Sequence, residues 1–374
     1  MTLERLILTN FKNYAEADVQ LCGNVNCFVG NNGAGKTNLL DAVYYLSFCK
    51  SYFNPVDTQN IRLGQEFFAV HGHYGGGDVA SLTLRRGQGK QMKWNKKPCK
   101  TLAEHIGRIP LVMVSPNDQQ LITGGSDLRR KFMDGVISQT DHQYLDHLMR
   151  YTKALEQRNR LLKQMWDDRL WDDAMVSVWD AQLIDSGEFL TSRRTRFIED
   201  FTPLFAHYYH WIAGTDEPGT VVYHHDGRPL AVQLEECRQA DKYSQYTNAG
   251  PHKDDLQLLL SAPDTPAEEA MPLKKFGSQG QQKSFALALK LAQFQYMLNH
   301  SGEKPILLLD DIFDKLDLLR IKRLIALVGS DSFGQVLLTD TQPGRIQAIF
   351  DELPNLEHSL FQVSNGSVTP TLNS

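Results

Sequence analysis

Residues Gly30 to Thr37 read Gly-Asn-Asn-Gly-Ala-Gly-Lys-Thr, between an apolar run ending in Cys27-Phe28-Val29 and a helical pattern that opens at Asn38. Few local patterns constrain a fold as tightly. A phosphate-binding loop needs a strand to hold it, glycines whose backbone N–H groups wrap the phosphates, and a helix N-terminus aimed at them. All three occur here in that order. Gly30, Asn31, Asn32, Gly33, Ala34 and Gly35 form the expected cradle for a nucleoside triphosphate. Lys36 is expected to reach its β- and γ-phosphates, and the Thr37 hydroxyl to ligate Mg²⁺. Leu39, Leu40, Val43, Leu46 and Ser47 keep helical spacing, which predicts a three-turn helix with one apolar face.

The rest of the chain bounds this assignment. At 374 residues it exceeds the usual size of one domain and suggests two lobes, or one lobe with a large insertion. Nothing approaches the apolar run needed to span a membrane. Glu4 and Arg5 interrupt the first apolar stretch, which reads as an amphipathic strand and not as a signal peptide. The five cysteines, Cys22, Cys27, Cys49, Cys99 and Cys237, are scattered without a Cys-x-x-Cys pair. That argues for free thiols in a reducing cytosol and against zinc. A net charge of −5 does not advertise nucleic-acid binding, so any DNA contact must rest on local clusters of basic residues.

The first ~115 residues read as strands and turns around one helix. Leu3, Leu6 and Leu8 form one strand pattern, followed by 17–20 and 25–29. His71 and His73 alternate on another strand, where a half-buried sheet face outweighs a metal site that lacks a third ligand. Between Arg85 and Lys100 lie Arg85, Arg86, Lys90, Lys93, Lys96, Lys97 and Lys100, with no acid among them. This is either a solvated hairpin turning at Asn95-Lys96 or a strip that contacts phosphate backbones.

From Asp141 the texture changes. Leu145, Leu148, Thr152, Leu155, Asn159, Leu162 and Trp166 recur at intervals of three and four, as in a coiled-coil seam. Asp167-Asp168-Arg169 is a tip. Trp171, Met175, Val178, Leu183, Leu190, Phe197, Phe201 and Leu204 outline a returning helix. A helical hairpin over 141–210 is expected. Arg193, Arg194 and Arg196 near its return end are open to a DNA contact or to a solvated face.

Two further segments turn a nucleotide loop into a switch. Pro305 precedes Ile306-Leu307-Leu308-Leu309 and then Asp310-Asp311, a buried parallel strand ending in carboxylates at a ligand crevice. Asp310 is expected in the Mg²⁺ shell and Asp311 to polarise the attacking water. Upstream, Ser278-Gln279-Gly280-Gln281-Gln282 opens a helix of small and apolar residues, and Ser278 and Gly280 make a second anion-binding helix end. One nucleotide needs one cradle, so the second end is expected to serve the nucleotide of another copy.

This ordered set resembles the ATP-binding-cassette ATPases, with Ser278 to Gln282 resembling their signature motif and Asp314-Lys315-Leu316-Asp317 their D-loop. Within that superfamily the chain is similar to the RecF family of bacterial recombination-mediator ATPases, relatives of SMC and Rad50. The resembling segments are Asn10-Phe11-Lys12-Asn13-Tyr14, Ser115-Pro116-Asn117-Asp118 and Arg129 to Asp134. Gln157-Arg158-Asn159 followed by Leu162-Lys163, and Gly250-Pro251-His252-Lys253-Asp254-Asp255, complete the set. There are departures. Asp311 stands where cassette ATPases generally carry Glu, which fits slow hydrolysis. The switch histidine is missing, leaving Thr339 or Thr341 to sense the γ-phosphate. Lys253 and Lys283 replace Arg, and Asn117 replaces Glu beside Asp118.

The resemblance implies an α/β cassette-type ATPase head with a helical lobe II bearing a short coiled-coil-like arm. Lobe I would comprise residues 1–110 and 303–374, and lobe II residues 111–302. ATP and Mg²⁺ would be the cofactors, and ATP would join two copies on DNA at junctions of duplex and single strand. It implies a weak, DNA-stimulated ATPase acting with RecR, and through it RecO, to load RecA in gap repair, replication restart and the SOS response. A monomeric P-loop metabolic enzyme, such as a small-molecule kinase, is the rival from another class. It would need neither the Ser278 segment nor an arm. A transporter ATPase has no use for the arm, and a Rad50-like tether needs a far longer one.

Overall fold

The computed structural model describes residues 1–214, 218–261, 270–312, 324–325, 327, 333–353 and 356–371. The chain divides into two compact units, Met1–Asp118 with Gln293–Ser374, and Gln119–Ala292. These boundaries differ from the 110 and 303 expected from the sequence. Strand β8 (Leu111–Val114) lies in the first unit because it pairs in parallel, Leu111 beside Ile306, with the strand that leads into Asp310. A four-residue apolar run cannot declare its partner when that partner is nearly two hundred residues away.

The first unit holds two six-stranded sheets. One is antiparallel and follows the order β2 (Tyr14–Gln20), β1 (Leu3–Phe11), β4 (Phe67–Tyr74), β5 (Val79–Arg85), β6 (Gly89–Trp94), β7 (Lys97–Pro98). The other runs β15 (Ser367–Pro370), β14 (His358–Ser364), β3 (Val25–Val29), β13 (Val336–Asp340), β12 (Ile306–Leu309), β8. Its strands β14, β3, β13, β12 and β8 are parallel, and β15 closes one edge as a hairpin. Strands β3, β8, β12 and β13 are buried along their whole length, so β8 and β12 read as continuous apolar runs, while β3 and β13 also enclose the polar Asn26, Thr339 and Asp340.

The helix Lys36–Phe48 follows β3 and its residues belong to one hydrophobic core with both sheets. Leu39, Leu40, Ala42, Val43, Tyr44, Tyr45 and Leu46 are all buried. The sequence suggested a single apolar face. Instead the helix is buried all round, and even Asp41 is fully enclosed. Asp41 is balanced by Lys12 Nζ at 2.5 Å, by the Ser51 hydroxyl at 2.6 Å and by the Tyr52 N–H at 2.7 Å. A buried carboxylate needs such partners.

The second unit is mainly helical. Helices Ser126–Thr140 and Asp173–Ala213 pack on a three-stranded sheet ordered β11 (Met271–Pro272), β10 (Asp255–Leu260), β9 (Gly219–His224), and helices His142–Asp167 and Leu230–Ser244 pack on Asp173–Ala213. His142–Asp167 and Asp173–Ala213 form the helical hairpin, joined at 168–172 and capped at each start by an aspartate side chain, Asp141 and Asp172. The seam is displaced from the expected one. Tyr144, Tyr151, Ala154, Arg158, Leu162 and Met165 are the buried residues of the first helix, while Thr152 is exposed and Trp166 is 44% exposed. A hydrophobic period could not place Arg158 inside. Its charge is neutralised there by Asp180 at 2.7 Å and Asp241 at 2.6 Å.

Candidate nucleotide site

Val29, the last residue of β3, leads into the loop, and Lys36 opens the helix. Gly33 (φ 79°) and Gly35 (φ 116°) take left-handed backbone conformations. At Gly35 the argument for glycine is also steric, since a Cβ would lie 2.5 Å from Asn13 Nδ2 and 2.8 Å from the Tyr14 hydroxyl. At Gly30 it is steric alone, with the Val363 carbonyl oxygen 2.2 Å from the Cβ position. The loop is thus braced from outside. Asn13 Nδ2 donates to the Ala34 carbonyl at 3.1 Å, the Tyr14 hydroxyl to the Gly35 carbonyl at 3.1 Å, and the Gly366 N–H to the Ala34 carbonyl at 3.3 Å. The β1–β2 turn therefore serves the phosphate loop, a role no local spacing in the sequence announces.

Lys36 is buried and its Nζ donates to the carbonyls of Gly30 at 2.7 Å and Asn31 at 3.0 Å, which holds the ammonium over the loop. The Thr37 hydroxyl donates to Asp310 Oδ1 at 2.9 Å and Oδ2 at 3.2 Å. Residues 273 positions apart in sequence are thereby joined at the mouth of the loop. Burial pushes the Asp310 carboxyl above its ordinary range, opposed by hydrogen bonds from Thr37 and Thr339 and by nearby Lys36. One hydroxyl and one carboxylate form an all-oxygen donor pair of the kind a hard divalent cation takes. Asp311 lies beside it. With Asn32, Gly33, Gly35, Lys36, Thr37 and Asn38 it lines a cavity of about 190 Å³.

The structure gathers Gly30 to Thr37, Asp310 and Asp311 within the first unit. Ser278 and Gly280 belong to the second and are exposed. Ser278 Oγ accepts from the Gln281 N–H at 3.2 Å while Gln281 Oε1 accepts from the Ser278 N–H at 2.6 Å. This reciprocal capping box fixes the start of helix Gln279–Ser301, and the pattern Ser-x-x-Gln carried that signal in the sequence. Beside it, Phe276 is 60% exposed. The segment Asp314 to Asp317 lies outside the described residues.

Other motif residues have structural roles. Thr339 is fully buried and its hydroxyl is already given to Asp310 at 2.9 Å, so it does not face the loop as a γ-phosphate sensor. Asp340 is tied to Arg345, and Thr341 is half-buried. Asp118 accepts from the Ser115 N–H at 2.7 Å and the Tyr52 hydroxyl at 2.6 Å, so it shapes its own loop. In the Gly250–Asp255 hexapeptide, the Pro251 carbonyl accepts from Arg194 and the Asp254 carbonyl from Arg130. Asp255 forms a two-pronged pair with Arg129 at 2.8 Å on each arm. His252 is held by Tyr151 at 2.7 Å, and burial lowers its pKa to about 4. Arg194 is buried against Asp134 and Tyr144, which removes it from DNA contact. Arg193 stacks on Phe189 and Arg196 is exposed. His71 bonds Ser81, and among the described residues no group of three or more His, Cys, Asp or Glu side chains is arranged to hold a metal ion. All five cysteines are free. No helix among the described residues is long and apolar enough to cross a membrane.

Comparison with known proteins agrees with this architecture. Residues 2–77 match the family described as RecF/RecN/SMC N terminal domain. The chain is 45% identical to the DNA replication and repair protein RecF of Phocaeicola vulgatus, over 99% of this chain and 98% of that one. It is also 45% identical to the RecF of Flavobacterium johnsoniae, over 93% and 96%. A solved structure of the recombination mediator protein RecF-ATP in the RecFOR pathway superimposes with a TM-score of 0.87 at 25% identity, covering 99% of this chain and 97% of that one. An Smc head bound to the C-winged helix domain of ScpA shares the fold, with a TM-score of 0.58 at 14% identity over 99% and 97% of the two chains.

Proposed function

The chain belongs to the RecF family of DNA replication and repair proteins, and from that premise we propose that it is an ATP-gated DNA clamp. One observation carries the nucleotide half. The Thr37 hydroxyl meets the Asp310 carboxylate at 2.9 Å at the mouth of a braced phosphate loop. Gly30 to Gly35 cradle the phosphates of ATP with backbone N–H groups, and Lys36 turns its ammonium toward the β- and γ-oxygens. Thr37 and Asp310 are the residues that would hold Mg²⁺, which when bound neutralises charge on the β- and γ-phosphates. Asp311 accepts a proton from the attacking water, and its short side chain suits slow hydrolysis.

Two copies then close over two ATP molecules. Ser278 and Gly280 of each present an exposed helix end to the nucleotide held by the other, so ATP joins the copies and weak, DNA-stimulated hydrolysis parts them. Duplex contact falls on the outward side of the antiparallel sheet. There Lys93 pairs with Ser81 and Gln91 with Thr83, Ser81 stands opposite His71, and Lys96, Lys97 and Lys100 follow at the edge. Glu16 and Asp18 share this face at its β2 end, whereas strands β4 to β7 contain no Asp or Glu, so the β4–β7 part of that side offers donors and positive charge to phosphates.

The family relationship supports action at junctions of duplex and single-stranded DNA in the cytoplasm. There the clamp would work with RecR and RecO to load RecA in gap repair, replication restart and the SOS response. Light scattering with and without ATP and gapped duplex DNA tests the proposal. A doubling of mass that needs ATP supports it. A monomer that turns over a small-molecule substrate instead identifies a metabolic kinase.

A further inference from the structure

Thr339 links the two carboxylates at the strand end. It stands on β13, fully buried, and its hydroxyl donates to Asp310 Oδ1 at 2.9 Å. The same oxygen accepts from the backbone N–H of Asp311, also at 2.9 Å. A threonine hydroxyl has one proton. Because Asp310 takes it, the oxygen faces Asp311 as an acceptor, and the direction of both bonds is set. Asp311 has φ 47°, a left-handed conformation that few non-glycine residues adopt and that surrounding contacts must hold. The turn at Asp311 therefore has an anchor on the neighbouring strand, one that also contacts Asp310.

Resting on the hydrolytic site proposed above, we propose that Thr339 is a positioning residue that sets Asp311 relative to Asp310. Its hydroxyl holds the Asp311 backbone in the left-handed turn from which the carboxylate lines the cavity beside Lys36 and Thr37. Neither contact is to nucleotide. The loop that binds ATP keeps its own braces at Asn13, Tyr14 and Gly366, so losing the Thr339 hydroxyl separates chemistry from binding. A misplacement of about 1 Å at a reacting group costs on the order of 100-fold in rate.

The experiment compares wild type, Thr339→Val, Thr339→Ser and Asp311→Asn. Three quantities are read: affinity for a fluorescent ATP analogue, single-turnover hydrolysis, and the lifetime of the ATP-induced dimer after dilution. Thr339→Val keeps the shape and removes the hydroxyl. It is expected to bind ATP within about threefold of wild type, to hydrolyse it roughly 10- to 100-fold more slowly, and to form a correspondingly longer-lived dimer. Thr339→Ser restores the hydroxyl and is expected to recover most of the rate. Wild-type turnover in Thr339→Val overturns the inference. Equal slowing in Val and Ser variants also overturns it, because packing of the methyl would then be responsible. So does a loss of ATP affinity in Thr339→Val as large as its loss of rate. Unchanged turnover in Asp311→Asn sinks the assignment of the hydrolytic carboxylate itself, a separate failure.

Discussion

The phosphate loop and the Ser278 segment are both glycine-bearing turns at helix N-termini, yet they are built in opposite ways. The loop exposes Asn31, Asn32 and Gly33 but is braced from beneath: Lys36 is buried, Thr37 is bonded to Asp310, and three neighbouring groups hold the loop carbonyls. The Ser278 segment is exposed through Ser278, Gln279 and Gly280, and its side chains satisfy one another through the capping box. The first is a finished half-site. The second spends its hydrogen bonds on its own geometry and leaves its outer side exposed, where the proposal puts the nucleotide of a second copy. An enzyme complete as a monomer has no need of the second.

Breaking the finished half should have the largest effect. Lys36→Met removes the ammonium above Gly30 and Asn31 and is expected to weaken ATP binding at least ~100-fold, since charge-assisted bonds to phosphate are among the strongest available. Dimerisation with a non-hydrolysable ATP analogue should vanish, and a variant that still doubles its mass contradicts the loop assignment. Breaking the exposed half should read differently. Ser278→Arg is expected to leave monomer ATP affinity unchanged while abolishing dimers, at a cost of about 1 kcal/mol for the lost helix cap. Weaker ATP binding by the monomer would remove the case for a role in a second copy.

Two stability measurements sharpen the contrast by probing the second unit away from its edge. Arg158→Leu leaves Asp241 in the interior without its cation, while Asp180 keeps Arg238 at 3.3 Å, and should cost about 3–5 kcal/mol in urea unfolding. A loss below about 1 kcal/mol would mean that the buried network is dispensable. His252 has its pKa lowered from 6.5 to about 4 by burial, so the unfolded chain binds more protons between those values. Stability from His252 is therefore complete above pH 6.5 and is lost as pH falls toward 4, by up to about 3 kcal/mol. His105 in the first unit, also lowered to about 4, adds a second loss of the same sign. A flat profile over that window contradicts both. The smallest effect concerns the sheet edge. Lys93→Glu with Lys97→Glu and Lys100→Glu should flatten the dependence of log K for duplex DNA on log[salt] by about 2–3, with ATP-driven dimerisation intact. An unchanged slope places the phosphates elsewhere.

The sequence disclosed those parts of the site whose chemistry is local. Gly30 to Thr37 carries its strand, turn and helix within one stretch, and Asp310-Asp311 ends a run of four buried aliphatics. What long-range folding decides stayed hidden. Asn13 and Tyr14 brace the loop only because β1 and β2 fold back beside it. Thr339 seemed placed to sense phosphate until β13 lay against β12 and turned its hydroxyl to Asp310. Arg158 and Arg194 show the same limit from the other side. Arginines on a helix are usually solvated, and only the arrangement of Asp134, Asp180 and Asp241 reveals these two as interior. The displaced seam of the helical hairpin follows from that, because a stripe that includes Tyr151 and Arg158 does not look hydrophobic.

The central claim is that each nucleotide site is completed by a second copy, and mixing the two inactive variants tests it most directly. In a dimer of Lys36→Met with Ser278→Arg, both lesions fall in one composite site, and the other keeps an intact loop and an intact Ser278 segment. Neither variant alone should depart from the 42.4 kDa mass of the monomer in ATP, whereas the mixture should yield heterodimers of twice that mass. A mixture that stays monomeric, while wild type dimerises under the same conditions, would contradict a site shared between copies.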